Sequence, residues 1–95
     1  MMRLSENVYI KCNKCSHVAL VERDSLECDI STYDRPMGEE IEYNFHGELC
    51  CEICNTLINF SIRGYEYPVG AFNFSDYDCN DGEFIKKPAL ELEYD

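Results

Sequence analysis

Long apolar runs and an excess of basic residues are both missing from this 95-residue sequence. No stretch approaches the roughly 20 apolar residues that span a bilayer, and the first seven residues contain no apolar signal core. We therefore expect a cytoplasmic protein with no membrane partner. The chain has 8 lysines and arginines against 19 acidic residues, a formal net charge of -11. Because nucleic-acid binders normally carry a basic patch, direct binding of DNA or RNA is disfavoured.

Catalytic motifs are missing as well. The two histidines, His17 and His46, have no nucleophile motif beside them, and the sequence contains no glycine-rich phosphate loop. No segment shows the periodicity of an amphipathic helix, whereas several segments alternate between apolar and polar residues. These patterns predict a mainly antiparallel β protein without enzymatic activity.

Cysteine is plentiful, with seven residues and two pairs at C-x2-C spacing. Cys12 and Cys15 form the first pair, and Cys51 and Cys54 form the second. Two thiolates on one tight turn can reach a single tetrahedral ion, and two such turns complete a closed four-cysteine site. In a chain without an export signal, such pairs are metal or redox sites more often than disulfides. The spacing therefore predicts one structural Zn²⁺ per chain, although four thiolates also suit iron.

Strand-like segments enter and leave each cysteine pair, namely residues 8–10 and 18–21 around the first and 43–45 and 57–62 around the second. With these flanking strands, the two C-x2-C turns resemble the zinc-ribbon, or rubredoxin-like, class of small β domains. The resemblance implies a metal-centred antiparallel fold and does not imply a particular partner. We expect residues 1–95 to form a single domain, with a metal core over 8–62 and an acidic C-terminal extension over 69–95.

The remaining segments carry weaker signals. Residues 22–38 are irregular and are the most favourable place for a short helix or a surface crossover, with Pro36 and Gly38 marking a turn. Asn55 suits the left-handed conformation that closes a metal turn. The segment from Gly64 to Pro68 is expected to end the strand that follows. Residues 69–74 are expected to add a short strand, and residues 75–83 are expected to form an acidic loop. The alternation after Pro88 predicts a final strand.

Three further cysteines need a role. Cys50 adjoins the second pair, but only Cys51 keeps the x2 spacing with Cys54, so we expect Cys50 to point into the packing. Cys28 and Cys79 lie in acidic segments. Free thiols are the default expectation for them, and a disulfide or a second partial metal site between them is the alternative. His17 is a less favoured ligand because four thiolates already close the site.

The acidic residues fall on outward positions of successive predicted strands. Like charges on neighbouring strands reduce stability, and the net charge exceeds the roughly 2 to 8 units that solubility calls for in a small domain. A basic protein partner would explain the excess. Three hypotheses follow. The protein is an inhibitor or regulator that mimics nucleic acid, an accessory subunit that binds through exposed tyrosines such as Tyr33, Tyr65 or Tyr67, or an orthodox ribbon that binds nucleic acid through a small patch of Lys11, Lys14, Arg23 and Arg35. The first hypothesis assigns partner binding to seven acids: Glu40, Glu42, Asp76, Asp78, Asp81, Glu91 and Glu93.

Overall fold

A computed structural model describes residues 2–92 of the protein. Nine strands and one turn of 3₁₀ helix (Arg23–Ser25) are present in this range. The strands are β1 (Met2–Leu4), β2 (Val8–Cys12), β3 (Val18–Val21), β4 (Glu27–Arg35), β5 (Gly38–Cys50), β6 (Leu57–Glu66), β7 (Phe72–Asn80), β8 (Gly82–Phe84) and β9 (Leu90–Leu92). All pairings are antiparallel, which confirms the predicted mainly β class. No helix within the described range has the length and apolar character needed to cross a membrane.

The strands form three sheets that share one core. Their orders are β4-β5-β6-β7, β3-β2-β8 and β1-β9. Val8 and Ile10 of β2 belong to the same hydrophobic cluster as Ile58 and Ile62 of β6, and all four side chains are at most 1% exposed. The apolar residues that alternate along the predicted strands are therefore the residues buried in the core. The inner faces of the four-stranded and three-stranded sheets face each other, and their outer faces point to solvent.

The four-stranded sheet is longer than the core that covers it. The principal extents of the molecule are 47 × 23 × 18 Å. β5 contains 13 residues, which at about 3.4 Å per residue is roughly the length of the long axis. The cysteine turns lie at one end of this sheet, and the β4–β5 hairpin extends away from them.

Residues 22–38 differ from the expectation of an irregular segment. The predicted short helix is limited to the single 3₁₀ turn, and Glu27–Arg35 form the edge strand β4 instead. Eight of its nine residues are exposed, and only Cys28 is half-buried. A strand that buries almost nothing shows no apolar alternation, so its pairing with β5 left no mark in the hydrophobic pattern. The turn at Pro36 and Gly38 is confirmed, because Arg35 pairs with Gly38 across a two-residue loop.

The predicted acidic loop over 75–83 is wrong. Residues 72–80 form β7, and a turn at Asp81 with φ 65° leads into β8. Ser75, Tyr77 and Cys79 are half-buried, whereas Asp76, Asp78 and Asn80 are exposed. The segment therefore has strand alternation in which the inward residues are polar or weakly apolar. β6 ends at Glu66, within the segment from Gly64 to Pro68 expected to end it, and Gly64 itself lies inside the strand.

Candidate metal centre

The two cysteine turns share one backbone hydrogen-bond pattern. In the first, the Cys12 N–H donates to the His17 carbonyl (2.8 Å) and the Ser16 N–H to the Cys12 carbonyl (2.9 Å). In the second, the Cys51 N–H donates to the Thr56 carbonyl (2.9 Å) and the Asn55 N–H to the Cys51 carbonyl (2.8 Å). Each turn thus brings its two thiols to the same side of a tight loop that a hairpin holds in place.

The turns bring the four predicted cysteine sulfurs together. All four Sγ atoms lie within 4.8 Å of one another. The distance is 3.6 Å between Cys12 and Cys54 and 3.4 Å between Cys15 and Cys51. A tetrahedral Zn²⁺ with Zn–S bonds of about 2.3 Å places its sulfurs roughly 3.8 Å apart. The donor set and its size therefore fit one metal ion, and Cys12 and Cys51 are buried within it.

Hydrogen bonds to two of these sulfurs favour the thiolate, which is the form that binds a metal. The Thr56 hydroxyl, 3.1 Å from Cys54 Sγ, and the Thr56 backbone N–H lower the pKa of Cys54 to about 6. Backbone N–H groups of Cys15 and Lys14 donate to Cys12 and lower its pKa. Such hydrogen bonds stabilise a thiolate and fix its direction.

Cys15 shows the opposite shift. The His17 backbone N–H donates to its sulfur and favours the thiolate, but desolvation and the neighbouring cysteines outweigh this and raise the pKa of Cys15 to about 12. Several negative sulfurs cannot crowd together without a cation, so at least one keeps its proton. A divalent ion removes that repulsion and displaces the proton, which is why metal binding to thiols releases protons.

Neighbouring residues complete the site without ligating it. His17 contributes its backbone, and its ring is not part of the sulfur cluster. The Asn13 N–H donates to the Asp81 carbonyl at 3.1 Å, which connects the first turn to the β7–β8 turn. The side-chain role of Thr56 was not anticipated. A hydroxyl residue two positions after the last cysteine of a pair is the signal that would have indicated it.

The other cysteines do not extend the site. Cys50 is exposed at the end of β5, so the expectation that it packs inward is wrong. β5 alternates up to this point, and Cys50 falls on its outer, solvent-facing side. Cys28 and Cys79 lie on β4 and β7, the opposite edges of the four-stranded sheet. Three strand spacings of about 4.8 Å separate them, which excludes a disulfide or a shared ion in this fold.

Four of the seven acids predicted for partner binding share one surface. Glu40 and Glu42 on β5 and Asp76 and Asp78 on β7 all point to the outer side of the four-stranded sheet. Asp81 lies in the β7–β8 turn, and Glu91 on β9 forms an ion pair with Arg3 at 2.8 Å. Glu93 lies outside the described residues.

This surface, here called the acidic face, is the outer side of β4 to β7. Strand register places seven carboxylates on it: Glu27, Asp29, Glu40, Glu42, Glu48, Asp76 and Asp78. Arg35 and Arg63 are its two guanidinium groups, so its formal charge is -5 with His46 neutral. Arg35 lies 3.3 Å from Glu40, Arg63 lies 2.8 Å from Asp76, and His46 lies 2.8 Å from Asp29.

The basic residues proposed for nucleic-acid binding do not form one patch. Lys11 lies 3.8 Å from Glu83 near the metal turns, whereas Arg35 lies beside the tip of the β4–β5 hairpin. The Arg23 guanidinium donates to the carbonyls of Leu4 and Ser5. These groups are distributed along the molecule and are largely engaged with the protein itself.

Comparison with protein-family models, with curated proteins and with solved structures finds no match to this chain.

Proposed function

We propose that the protein binds one structural zinc ion through Cys12, Cys15, Cys51 and Cys54 and acts by binding a basic protein surface through its acidic face. The favoured role is an inhibitor or regulator that occupies the nucleic-acid site of its partner, as small phage anti-defence proteins, antitoxins and nuclease immunity proteins do. The observation that carries the proposal is the concentration of seven carboxylates against two guanidiniums on one sheet face. A closed four-thiolate site leaves no open coordination position, so a catalytic role is not proposed.

The arrangement of the acidic face supports phosphate mimicry. Along one strand, alternate residues such as Glu40 and Glu42, or Asp76 and Asp78, carry carboxylates on backbone positions about 6.8 Å apart. A row of like charges reduces the stability of the sheet, so neutral residues would be expected if the surface had no partner. A basic groove that binds nucleic acid offsets this repulsion.

The experiment compares two variants with the same change in charge. Replacing Glu27, Glu42 and Glu48 by Gln and Asp78 by Asn neutralises the acidic face while keeping both ion pairs to Arg35 and Arg63. The control replaces the exposed Glu22, Glu39 and Glu52 by Gln and Asp24 by Asn, all of which lie off the face. A partner captured from the source cells is then titrated with each protein at increasing salt, with and without duplex DNA.

We expect the acidic-face variant to bind at least about tenfold more weakly and the control variant to bind like the native protein. The native affinity should fall steeply with salt, and DNA should compete for the same site. Binding that resists both high salt and neutralisation of the acidic face would contradict the proposal.

A second candidate, an accessory subunit of a nucleic-acid-processing complex, is favoured by a different surface. The outer side of β3-β2-β8 exposes about half of Tyr9 (46%), Val18 (47%) and Leu20 (54%), and Ile85 beside it is 54% exposed. Apolar anchors carry most of the energy in ordinary interfaces, with little salt dependence. Of the tyrosines named for this role, Tyr33 is 43% exposed, Tyr65 stacks on Phe74 at 4.3 Å and the Tyr67 hydroxyl accepts from the Met37 N–H.

A variant of the apolar surface distinguishes the two candidate functions. Leu20→Ser together with Tyr9→Ser should abolish partner binding if the apolar surface is the interface, and should leave it unchanged if the acidic face is. Direct nucleic-acid binding is the third candidate, and we expect none at physiological salt because the chain repels the phosphate backbone. A mobility shift at micromolar protein that disappears in a Lys11→Ala, Lys14→Ala variant would favour that third role.

A further inference from the structure

β4 is an open sheet edge along its whole length. Its nine residues pair with β5 in an unbroken register from Glu27–His46 to Arg35–Gly38, and on its other side no strand is hydrogen-bonded within the described range. All of its residues except Cys28 are exposed. An edge of this length presents a row of backbone N–H and C=O groups to any chain that can pair with it.

The hairpin loop shows which backbone groups face outward. Arg35 and Gly38 flank a two-residue loop, and the hydrogen bond that closes such a turn joins their carbonyl and N–H groups. Hydrogen-bonded and non-hydrogen-bonded pairs alternate along an antiparallel ladder. Counting back along β4 from Arg35, the backbone N–H and C=O groups of the odd-numbered residues form hydrogen bonds with β5. The backbone groups of Cys28, Ile30, Thr32 and Asp34 therefore point to the free edge.

β4 has only one of the usual protections of an edge strand. Natural edges are blocked by proline, charged side chains (especially lysine), bulges or neighbouring segments. The opposite edge strand, β7, has a register shift opposite Tyr65 and Glu66 and contacts both β8 and β9. β4 has no proline, no lysine and no shift in register. Its protection consists of acidic side chains, which repel another acidic chain and attract a basic one.

The two sides of β4 differ in chemistry. On the outer side, Glu27 and Asp29 continue the acidic face, with Glu40 and Glu42 on the next strand. On the inner side, Ile30 is 52% exposed, and a groove of about 250 Å³ opens next to Cys28. Met2, Leu4, Leu26 and Phe45 form its apolar lining, and Arg3, Arg23 and Asp24 line it as well. An added strand would therefore place alternate residues on the acidic face and beside the apolar side chains of Cys28 and Ile30.

We propose that β4 is a docking edge for an extended basic segment of the partner, in which lysine or arginine alternates with apolar residues. The segment adds a fifth strand to the sheet, with its cations on the acidic face and its apolar side chains beside Ile30 and the groove. Backbone pairing supplies the affinity and the alternating side chains supply the specificity. This inference rests on the proposed binding of a basic protein and specifies how that protein is held. A second copy of the chain fits poorly, because pairing two β4 strands would join two faces of charge -5.

The test uses two peptides of equal charge and one pair of variants. The first peptide has nine residues in which lysine and valine alternate, and the second contains the same residues in separate lysine and valine blocks. Thr32→Pro removes an outward N–H without breaking a bond to β5, a position where an edge strand tolerates proline. Thr32→Val keeps that N–H and serves as the matched control. Affinity is measured by fluorescence anisotropy, and the metal content and melting temperature of each variant are recorded.

We expect the native protein and Thr32→Val to bind the alternating peptide at least about tenfold more tightly than the block peptide. Thr32→Pro should lose this difference while keeping its metal. Amide exchange of the native protein offers a readout that does not depend on the proline variant. The alternating peptide should slow exchange of the Ile30 and Thr32 N–H groups, and the block peptide should not.

Four outcomes overturn the inference. Equal binding of the two peptides, or full binding by Thr32→Pro, would mean that charge alone holds the segment, while the acidic-face proposal would stand. A native dimer that Thr32→Pro converts to a monomer would mean that a second copy occupies the edge. Failure of both the peptides and the partner to respond to neutralisation of the acidic face would end the proposed function as well.

Discussion

Ser16 and Asn55 occupy equivalent positions in the two cysteine turns and have the same backbone conformation, with φ angles of 64° and 60°. Each follows the second cysteine of its pair, and each donates its N–H to the carbonyl of the first cysteine. This left-handed residue reverses the chain so that the next strand can leave antiparallel to the incoming one. The predicted conformation of Asn55 is confirmed, and its counterpart at Ser16 was not anticipated because serine is a weaker indicator of that conformation than asparagine.

The left-handed positions should tolerate small residues and reject branched ones. We expect Asn55→Val to lower the free energy of unfolding of the metal-loaded protein by about 1–3 kcal/mol, because a β-branched residue is strained at positive φ. Asn55→Gly should change it by no more than about 1 kcal/mol. Urea denaturation measures both effects. Asn13→Val is the control, since Asn13 lies in the other turn without a positive φ. Equal losses for Asn13→Val and Asn55→Val would contradict the assignment.

Removal of the metal should unfold the protein. Because ligands in the unfolded chain rarely form a preorganised site, metal-binding free energy is folding free energy. We expect Cys12→Ser and Cys54→Ser to lose the metal and the β circular dichroism spectrum, and a strong chelator to do the same to the native protein. Elemental analysis should find one zinc per chain. An intact fold in chelator without metal would disprove a structural site.

Cys50 supplies the matched control for these substitutions. Its thiol is exposed and outside the sulfur cluster, so Cys50→Ser should keep the metal and change stability by no more than about 0.5 kcal/mol. Cys51→Ser, one residue further, should be as damaging as Cys54→Ser. If Cys50→Ser and Cys51→Ser were equally harmful, the assignment of Cys51 as the ligand would be incorrect.

Tyr43 should make the fold sensitive to alkali. Burial, the hydrogen bond that its hydroxyl donates to Glu66 (3.1 Å) and the charge of that carboxylate raise the pKa of Tyr43 to about 12. A folded-state pKa above the unfolded value of about 10 favours the neutral phenol. This contribution is therefore complete below pH 10 and is lost as the pH rises through 12. About two pKa units correspond to roughly 2–3 kcal/mol.

The measurement for Tyr43 is the free energy of unfolding from pH 8 to pH 12 in the native protein and in Tyr43→Phe. The native curve should fall more steeply above pH 10, and the difference between the two curves should shrink with pH. Tyr43→Phe should also be less stable at pH 8 by about 1–3 kcal/mol, because the Glu66 carboxylate is buried and loses a donor. Parallel curves over the whole range would contradict this role.

The predictable parts of the fold were those in which burial alternates with exposure. Ile58, Phe60 and Ile62 are each at most 4% exposed, and the strand assigned to them is present. The acidic side of β5 was visible in the same way, because Glu40 and Glu42 alternate with Ile41 and Tyr43. The four-cysteine cluster followed from spacing alone, since a C-x2-C turn leaves little freedom in where its two sulfurs point.

The parts of the fold that could not be predicted depend on contacts between segments that are distant in the sequence. Nothing within β4 indicates a strand, because its pairing with β5 is a matter of backbone hydrogen bonds and its side chains remain in solvent. Ser75, Tyr77 and Cys79 face inward on β7, but their polarity conceals the alternation. The ion pair between Glu91 and Arg3 joins residues near opposite ends of the chain. Glu91 lies on β9, which pairs with β1, so it is not on the four-stranded sheet that carries the acidic face.

The last prediction concerns the attachment of the small β1-β9 sheet to the four-stranded sheet. Gly64 of β6 lies directly beneath Met2 and Leu90, and a Cβ atom added to Gly64 would meet the Met2 sulfur and lie 2.9 Å from Leu90 Cδ1. Met2 is only 1% exposed, so its side chain has little room to move. We expect Gly64→Ala to destabilise the protein by about 1–3 kcal/mol through overpacking.

A double-mutant cycle tests whether this contact is the cause. Met2→Ala alone should cost about 2–5 kcal/mol because it leaves a cavity. Combining it with Gly64→Ala should cost less than the sum of the two by about 1 kcal/mol or more, since the added methyl group then lies in the vacated space. Metal content should stay at one ion per chain in all three variants, because the cysteine turns lie at a distance from Gly64 along β6. Strictly additive losses would mean that Gly64 is required for a reason other than the approach of Met2.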